Sequence, residues 1–255
     1  MYSHGLKIDR LVSVAGKKEP SLIPQPGRNK QCIEDPIATL RSHTRFQHDA
    51  LEKTSTAQAL MSPAITLERY VENLVIWAVA WQMIEHWLSK SPFAKEVPQL
   101  VPLPKAWLAE ADLAYLYSHS RLQRYHKPSY QSAIETFNSQ PVNLSGFIGV
   151  CYVIVGALLG NAFIAKHLEA TLSLKAEGGA AFFSKRSGDD LSWSQWIRAA
   201  NKVLSIADDV DAACLWASAT FKLIQTMFSG SEYIAVDNTL GIPEANPAGT
   251  WMNRQ

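Results

Sequence analysis

Apolar residues recur at three- and four-residue steps along most of the chain, and strict alternation is scarce, so the pattern predicts helices rather than strands. Asp35 is the natural N-cap of the first helix, with Pro36 at its first position. Ile37, Leu40, Thr44, His48 and Leu51 follow at helical spacing, which predicts one face that runs from aliphatic residues to a core-facing His48. Ser62-Pro63 and Thr66 open a second helix, whose apolar run 74–81 continues into Met83, Ile84 and Trp87. Pro102 and Pro104 break the chain. Further helices are expected over 106–117, 129–139 and 146–165, then, after a stop at Gly178-Gly179, over 193–204 and 208–228. Several β-branched residues between Val142 and Val155 compete with this reading, but no hairpin signal accompanies them and no internal repeat is found. The expected fold class is all-α.

Punctuation divides the chain into three parts. Residues 1–33, with Pro20, Pro24 and Pro26, read as an N-terminal arm. Residues 34–228 read as one helical domain, and 229–255, with Gly230, Gly241, Pro243, Pro247 and Gly249, as a C-terminal tail. The hydrophobic fraction of 47% and 25 aromatic residues (eight Trp, eight Tyr, nine Phe) supply a core for one large domain. Twenty-four basic against 23 acidic residues leave a net charge of +1 and no electrostatic case for a nucleic-acid partner. Cys32, Cys151 and Cys214 are odd in number and far apart, as expected of reduced thiols in a cytoplasmic protein. The first residues show no secretory h-region.

One stretch, 146–165, carries an amide and no charge over twenty residues. Its length meets the criterion for a membrane span, and Gly156-x-x-x-Gly160 is a small-residue packing motif. Asn161 within the stretch and the amphipathic helices around it favour the buried centre of a bundle, so no membrane partner is expected. Glycine inside a helix costs roughly 1 kcal/mol relative to alanine. Two of them one turn apart therefore call for close approach, either of another helix or of a flat ligand.

Candidate chemistry centres on His48. Glu52 lies one turn later on the same face, where its carboxylate can accept a hydrogen bond from Nδ1 and leave Nε2 free to ligate a metal. Arg41 lies two turns earlier, about 10 Å along the axis, where it can pair with an anionic group of the same ligand. The other histidines read as packing or solvent-facing residues. His43 is on another face of the helix, His86 adjoins Glu85, and His4, His119 and His126 are in polar or loop contexts. His167 is expected to close its helix, next to Lys166.

Taken together, the segments around His48 and Gly156 resemble the proximal and distal helices of the heme oxygenase family, above all its bacterial, phytochrome-associated branch. The proximal pattern Leu-Arg-x-x-Thr-x-x-x-His-x-x-x-Glu is met by Leu40, Arg41, Thr44, His48 and Glu52. The distal pattern, an aromatic residue before Gly-x-x-Leu-Gly-Gly, is met by Tyr152, Gly156, Leu159 and Gly160. Weaker echoes from Tyr70, Glu85, Leu108, Asp112-Leu113, Phe182-Phe183, Trp196 and Phe221 extend the likeness over 37–228.

The resemblance implies a multi-helix bundle that holds heme, as substrate and cofactor, between these two helices. It makes His48 the iron ligand, supported by Glu52, and places Arg41 and Arg45 at the propionates. Gly156 and Gly160 then form the oxygen side, with Tyr152 against the porphyrin. The implied reaction opens the ring to biliverdin and releases carbon monoxide and iron. Electrons come from a separate ferredoxin or reductase, since the chain has no flavin or nicotinamide fingerprint, and a phytochrome is the implied recipient of the bilin. Two positions depart from the family pattern. Asn161 replaces the second glycine of the distal pair, beside the bound oxygen. Ala157 stands where animal members carry an aspartate. A heme carrier or sensor of the same fold is the alternative. A di-iron variant of the fold would need Glu-x-x-His pairs, which the sequence lacks.

Overall fold

The computed structural model describes residues 35–122, 124, 125, 129–185, 192–207 and 210–229. Both terminal arms, His4, Cys32, His126 and the Asp208 start expected for the last helix lie outside the described residues. Among the described residues the chain is helical and has no strand.

The first helix, α1 (Pro36–Glu52), starts where its sequence dictates. Asp35 Oδ1 accepts from the Ala38 N–H at 2.9 Å. A second group joins it from far along the chain: Asn201 donates to the same Asp35 oxygen and accepts from the Ile37 N–H, each at 2.9 Å. Two of the orphan donors of the helix start are thereby satisfied.

A short helix, α2 (Ser55–Leu60), was not expected; Thr54 caps it and Thr56 Oγ1 donates to the Phe228 carbonyl at 2.8 Å. The long second helix of the sequence reading, α3 (Leu67–Lys90), begins only after Thr66, whose hydroxyl accepts from the Arg69 N–H. Ser62-Pro63 is thus corrected from a helix start to a turn, in which Ser62 Oγ accepts from the Ala64 N–H and its carbonyl from the Ile65 N–H. Next come α4 (Phe93–Glu96), a 3-10 turn at Pro98–Leu100, α5 (Ala106–His119) and α6 (Gln131–Asn138).

The apolar stretch becomes α7 (Leu144–Leu172), longer than expected at both ends. Asn143 caps its start, accepting from the Gly146 N–H at 2.8 Å, and it ends at Ser173 in the left-handed conformation, φ 57°. Gly178-Gly179 is therefore not its stop. His167 is likewise not at a helix end: its Nε2 lies 2.9 Å from the Ser62 carbonyl oxygen. Two more helices, α8 (Trp193–Ala207) and α9 (Val210–Ser229), complete the described chain.

Helix α9 forms the spine, with α1 and α7 both packed on it, while α3 packs on α5. A ring cluster of Trp77, Trp81, Phe182, Phe183 and Phe228 fills the centre. Polar side chains tie the loops to this core. Glu85 Oε1 accepts from the Lys105 and Ala106 N–H groups at the start of α5, at 2.6 and 3.0 Å. The Asp112 carboxylate accepts from the Ala181 and Phe182 N–H groups at 3.0 and 2.8 Å. Burial raises both acids above the usual carboxylate range, Asp112 to about 6, although these amide donors favour the ionised forms.

Helix α7 is the one described helix long and apolar enough to cross a membrane. Every residue from Ser145 to Ile154 is buried, with Phe147 against Trp87 of α3 and Tyr152 against Trp193 and Trp196 of α8. That N-terminal third of α7 is the centre of the bundle, as the amphipathic neighbours require.

Candidate functional site

At 100° per residue, Arg41, Arg45, His48 and Glu52 fall within roughly a 60° sector of α1. All four are exposed. Nδ1 of His48 lies 3.7 Å from Oε1 of Glu52 and 3.9 Å from Oδ1 of Asp49. These are ion-pair separations, longer than a hydrogen bond, so the two carboxylates flank one imidazole edge without locking it.

The expectation of a core-facing His48 is corrected: its side chain is 55% exposed. The buried stripe of Ile37, Leu40 and Thr44 passes instead through half-buried Gln47 and Leu51. From Thr44 a step of three or of four residues continues a helical face equally well. Helix α9 decides for Gln47, whose Nε2 donates to Ser218 Oγ at 3.4 Å. His48 is left at the border of the stripe, its ring edge-on to Phe221 at 5.9 Å. One side of the imidazole is thus supported by α9.

The glycines of α7 separate into two classes. A Cβ on Gly146 would overlap the Trp216 ring, and one on Gly149 would overlap the Ala213 carbonyl oxygen, so these two permit the close approach of α9. A Cβ on Gly156 or on Gly160 would meet nothing within 4 Å. Gly149, Gly156 and Gly160 lie within about 40° of one another on the helix wheel. The face that packs on α9 therefore continues past it into open space. Helix packing does not account for this second pair. Phe163, 72% exposed, falls in the same sector and extends the face with an apolar ring.

Two residues assigned to this face turn elsewhere. The Tyr152 ring packs against Trp193 and Trp196, 5.8 and 6.3 Å away, so its side chain belongs to the contact between α7 and α8. Asn161 is 97% buried and its Nδ2 donates to the Phe182 carbonyl at 3.4 Å. Position 161 lies about 100° round the helix from Gly160, which is why its amide leaves the glycine face. Ala157 brings no polar group. Among the described residues no hydrogen bond or ring contact joins the His48 group to the glycine face. Gln47 and Phe163 were missed by the sequence reading; a second apolar-or-amide choice at the Gln47 step and an aromatic three residues after Gly160 were the available signals.

The donor set nevertheless fits heme: an accessible imidazole backed by a carboxylate, two guanidinium groups beside it for propionates, and a helix face with side-chain-free space for a flat ring.

Comparison with known proteins agrees. A family model described as heme oxygenase matches residues 36–230. The fold resembles that of the heme oxygenase from Leptospira interrogans, with 18% identity and a TM-score of 0.59, over 77% of this chain and all of that one. It also resembles a cyanobacterial heme oxygenase-1 from Synechocystis in complex with heme, with 14% identity and a TM-score of 0.57 over 78% of this chain and 92% of that one. For the NO- and CO-bound enzyme of Neisseria meningitidis the values are 19% and 0.51, over 77% and 93%. A search of curated protein sequences gives no match. With more than half of its length matched by the family model, the chain belongs to the heme oxygenase family.

Proposed function

We propose that the protein cleaves heme oxidatively to biliverdin, releasing carbon monoxide and iron, with dioxygen and electrons supplied from outside. The open space at Gly156 and Gly160 carries this reading, because both glycines incur a helix cost that no packing contact offsets. When bound, heme supplies both the redox-active iron and the meso carbon that is oxidised. His48 holds the iron through Nε2, and Glu52 and Asp49 orient the ring through Nδ1. Arg41 and Arg45 take the propionates and so select the porphyrin edge presented to oxygen. The backbone at Gly156 and Gly160 approaches the other face, with Phe163 excluding water at its margin. Electrons come from a separate ferredoxin or reductase.

A heme-binding protein that does not degrade its ligand is the second reading. Its support is that the Asn161 donor is committed to Phe182 and Ala157 has none, so neither side chain delivers a proton to the glycine face. One experiment separates the two: bind hemin, add ascorbate or ferredoxin with its reductase in air, and follow the spectrum. Loss of the Soret band with growth of a broad red absorption supports the oxygenase. A stable Soret band through several equivalents of reductant supports the carrier.

A further inference from the structure

The stretch of α7 that carries Gly156 and Gly160 has few ties to the rest of the bundle. Val155, Ala157, Ile164 and Ala165 are only half-buried against the core, and Asn161 is the one buried residue between Ile154 and Leu168. An amide at that position must find its partners inside the protein, because burial takes it out of water. Nδ2 donates to the Phe182 carbonyl at 3.4 Å, while among the described residues Oδ1 has no partner. On the helix wheel Asn161 lies about 100–140° from Gly160 and Gly156, so this tie is made from behind the glycine face.

The acceptor in that tie is itself fixed from two other helices. Tyr70 of α3 donates from its hydroxyl to the Gly179 carbonyl at 2.8 Å. Asp112 of α5 accepts from the Ala181 N–H with Oδ1 at 3.0 Å and from the Phe182 N–H with Oδ2 at 2.8 Å. Two consecutive amides on the two oxygens of one carboxylate fix both the place and the tilt of the strip, and bonds to an ionised acceptor are of the stronger kind. The Phe182 ring is buried against Trp77 and Trp81. Phe182 therefore holds α5 through its N–H and α7 through its carbonyl, and so joins the Asp112 carboxylate to Asn161.

We propose that Asp112 and Asn161 are positioning residues for the heme face: acting through Phe182, they set how far the Gly156–Gly160 turn of α7 stands from a bound porphyrin. This rests on the proposed heme reading of that face. Both side chains act from a distance, since the Asp112 carboxylate is engaged by Ala181 and Phe182 and the Asn161 amide leaves the glycine face. Loss of either one frees the same turn, so their effects do not add.

Amide hydrogen exchange of the ligand-free full chain tests the anchor. Asp112→Asn puts a donor where one of the two amides needs an acceptor, and Asn161→Ala removes the amide without loosening the helix backbone. Each is expected to speed exchange over 157–164 by about tenfold or more and to leave 145–154 unchanged. The double variant should exchange no faster than the faster single one. The effect on the ligand is read from the C–O stretching band of the ferrous hemin–carbon monoxide complex, which reports the groups bordering the bound gas; both variants should shift or broaden it. Unchanged exchange overturns the proposal, as does an equal rise in both segments, which signals a general loss of stability, or an additive double variant. A carbon monoxide band identical to wild type in both variants overturns the positioning role even where exchange responds. A wild-type chain that binds no hemin sinks the heme reading itself, an outcome that the ligand-free exchange keeps apart from failure of the anchor.

Discussion

Nδ1 of His48 and Oε1 of Glu52 stand 3.7 Å apart, one helical turn from each other on an exposed face of α1. His48→Ala is expected to abolish imidazole ligation of hemin, seen as loss of the histidine-ligated spectrum. Glu52→Gln should retain ligation with affinity lower by about 10–100-fold, as for other groups that orient a metal-bound imidazole. Since both side chains are solvent-facing, the melting temperature of the ligand-free protein should stay unchanged. An unaltered hemin spectrum in His48→Ala would remove the central assignment.

The two glycine pairs of α7 predict alanine effects of opposite sign. Gly149→Ala drives a methyl into the Ala213 carbonyl and should destabilise the ligand-free protein by roughly 1–3 kcal/mol. Gly156→Ala meets open space and should stabilise it by about 0.5–1 kcal/mol through helix propensity. The same Gly156→Ala change should weaken hemin binding, because its methyl occupies the ring's place. Urea denaturation and hemin titration of the two variants check both signs.

Arg41 and Arg45 share the His48 sector, so their removal should act on the propionates rather than on the iron. Arg41→Ala and Arg45→Ala are each expected to weaken hemin binding severalfold and to reduce its salt dependence. The ratio of biliverdin isomers, resolved by chromatography, should shift in at least one of them. If ratio and affinity both stay at the wild-type values, these guanidinium groups do not position the porphyrin.

Asp112 predicts a pH effect. Its carboxyl is pushed up to about 6 in the folded protein, from 3.8 for a free aspartate, mainly because it is buried between α5 and the 181–182 segment. The folded state thus binds the proton more tightly than the unfolded chain. Its contribution to stability is fully present below pH 3.8 and is lost as pH rises through about 6. Asp112→Asn should lack this component, so the stability of the wild type relative to the variant should fall from pH 4 to pH 7. A difference that is flat over that range would show that the two amide donors, not burial, control the carboxyl.

Much of this was legible in the residues. Asp35 and Pro36 fixed the start of α1, and Thr66 marked the start of α3 even though Ser62-Pro63 offered a false one. The short helix after Thr54 was hidden because six residues hold too little period to read. The capping role of Asn201 was hidden too, since its partners, Asp35 and Ile37, lie more than 160 residues away.

Arg41, Arg45, His48 and Glu52 share one side of α1 whatever packs against it, because helical period is a local property of the backbone. The same period aligns Gly156 and Gly160 on a long apolar helix. Which flank of α1 is buried depends on the path of α9, which takes up Gln47 and leaves His48 at the border. Tertiary contacts likewise make Gly146 and Gly149 pack while Gly156 and Gly160 face space, and turn Asn161 to the Phe182 carbonyl. The reason is physical. Room around a Cβ and partners for a side-chain amide depend on where α9 and the 182–183 segment run, and those paths are set by contacts distant in the chain.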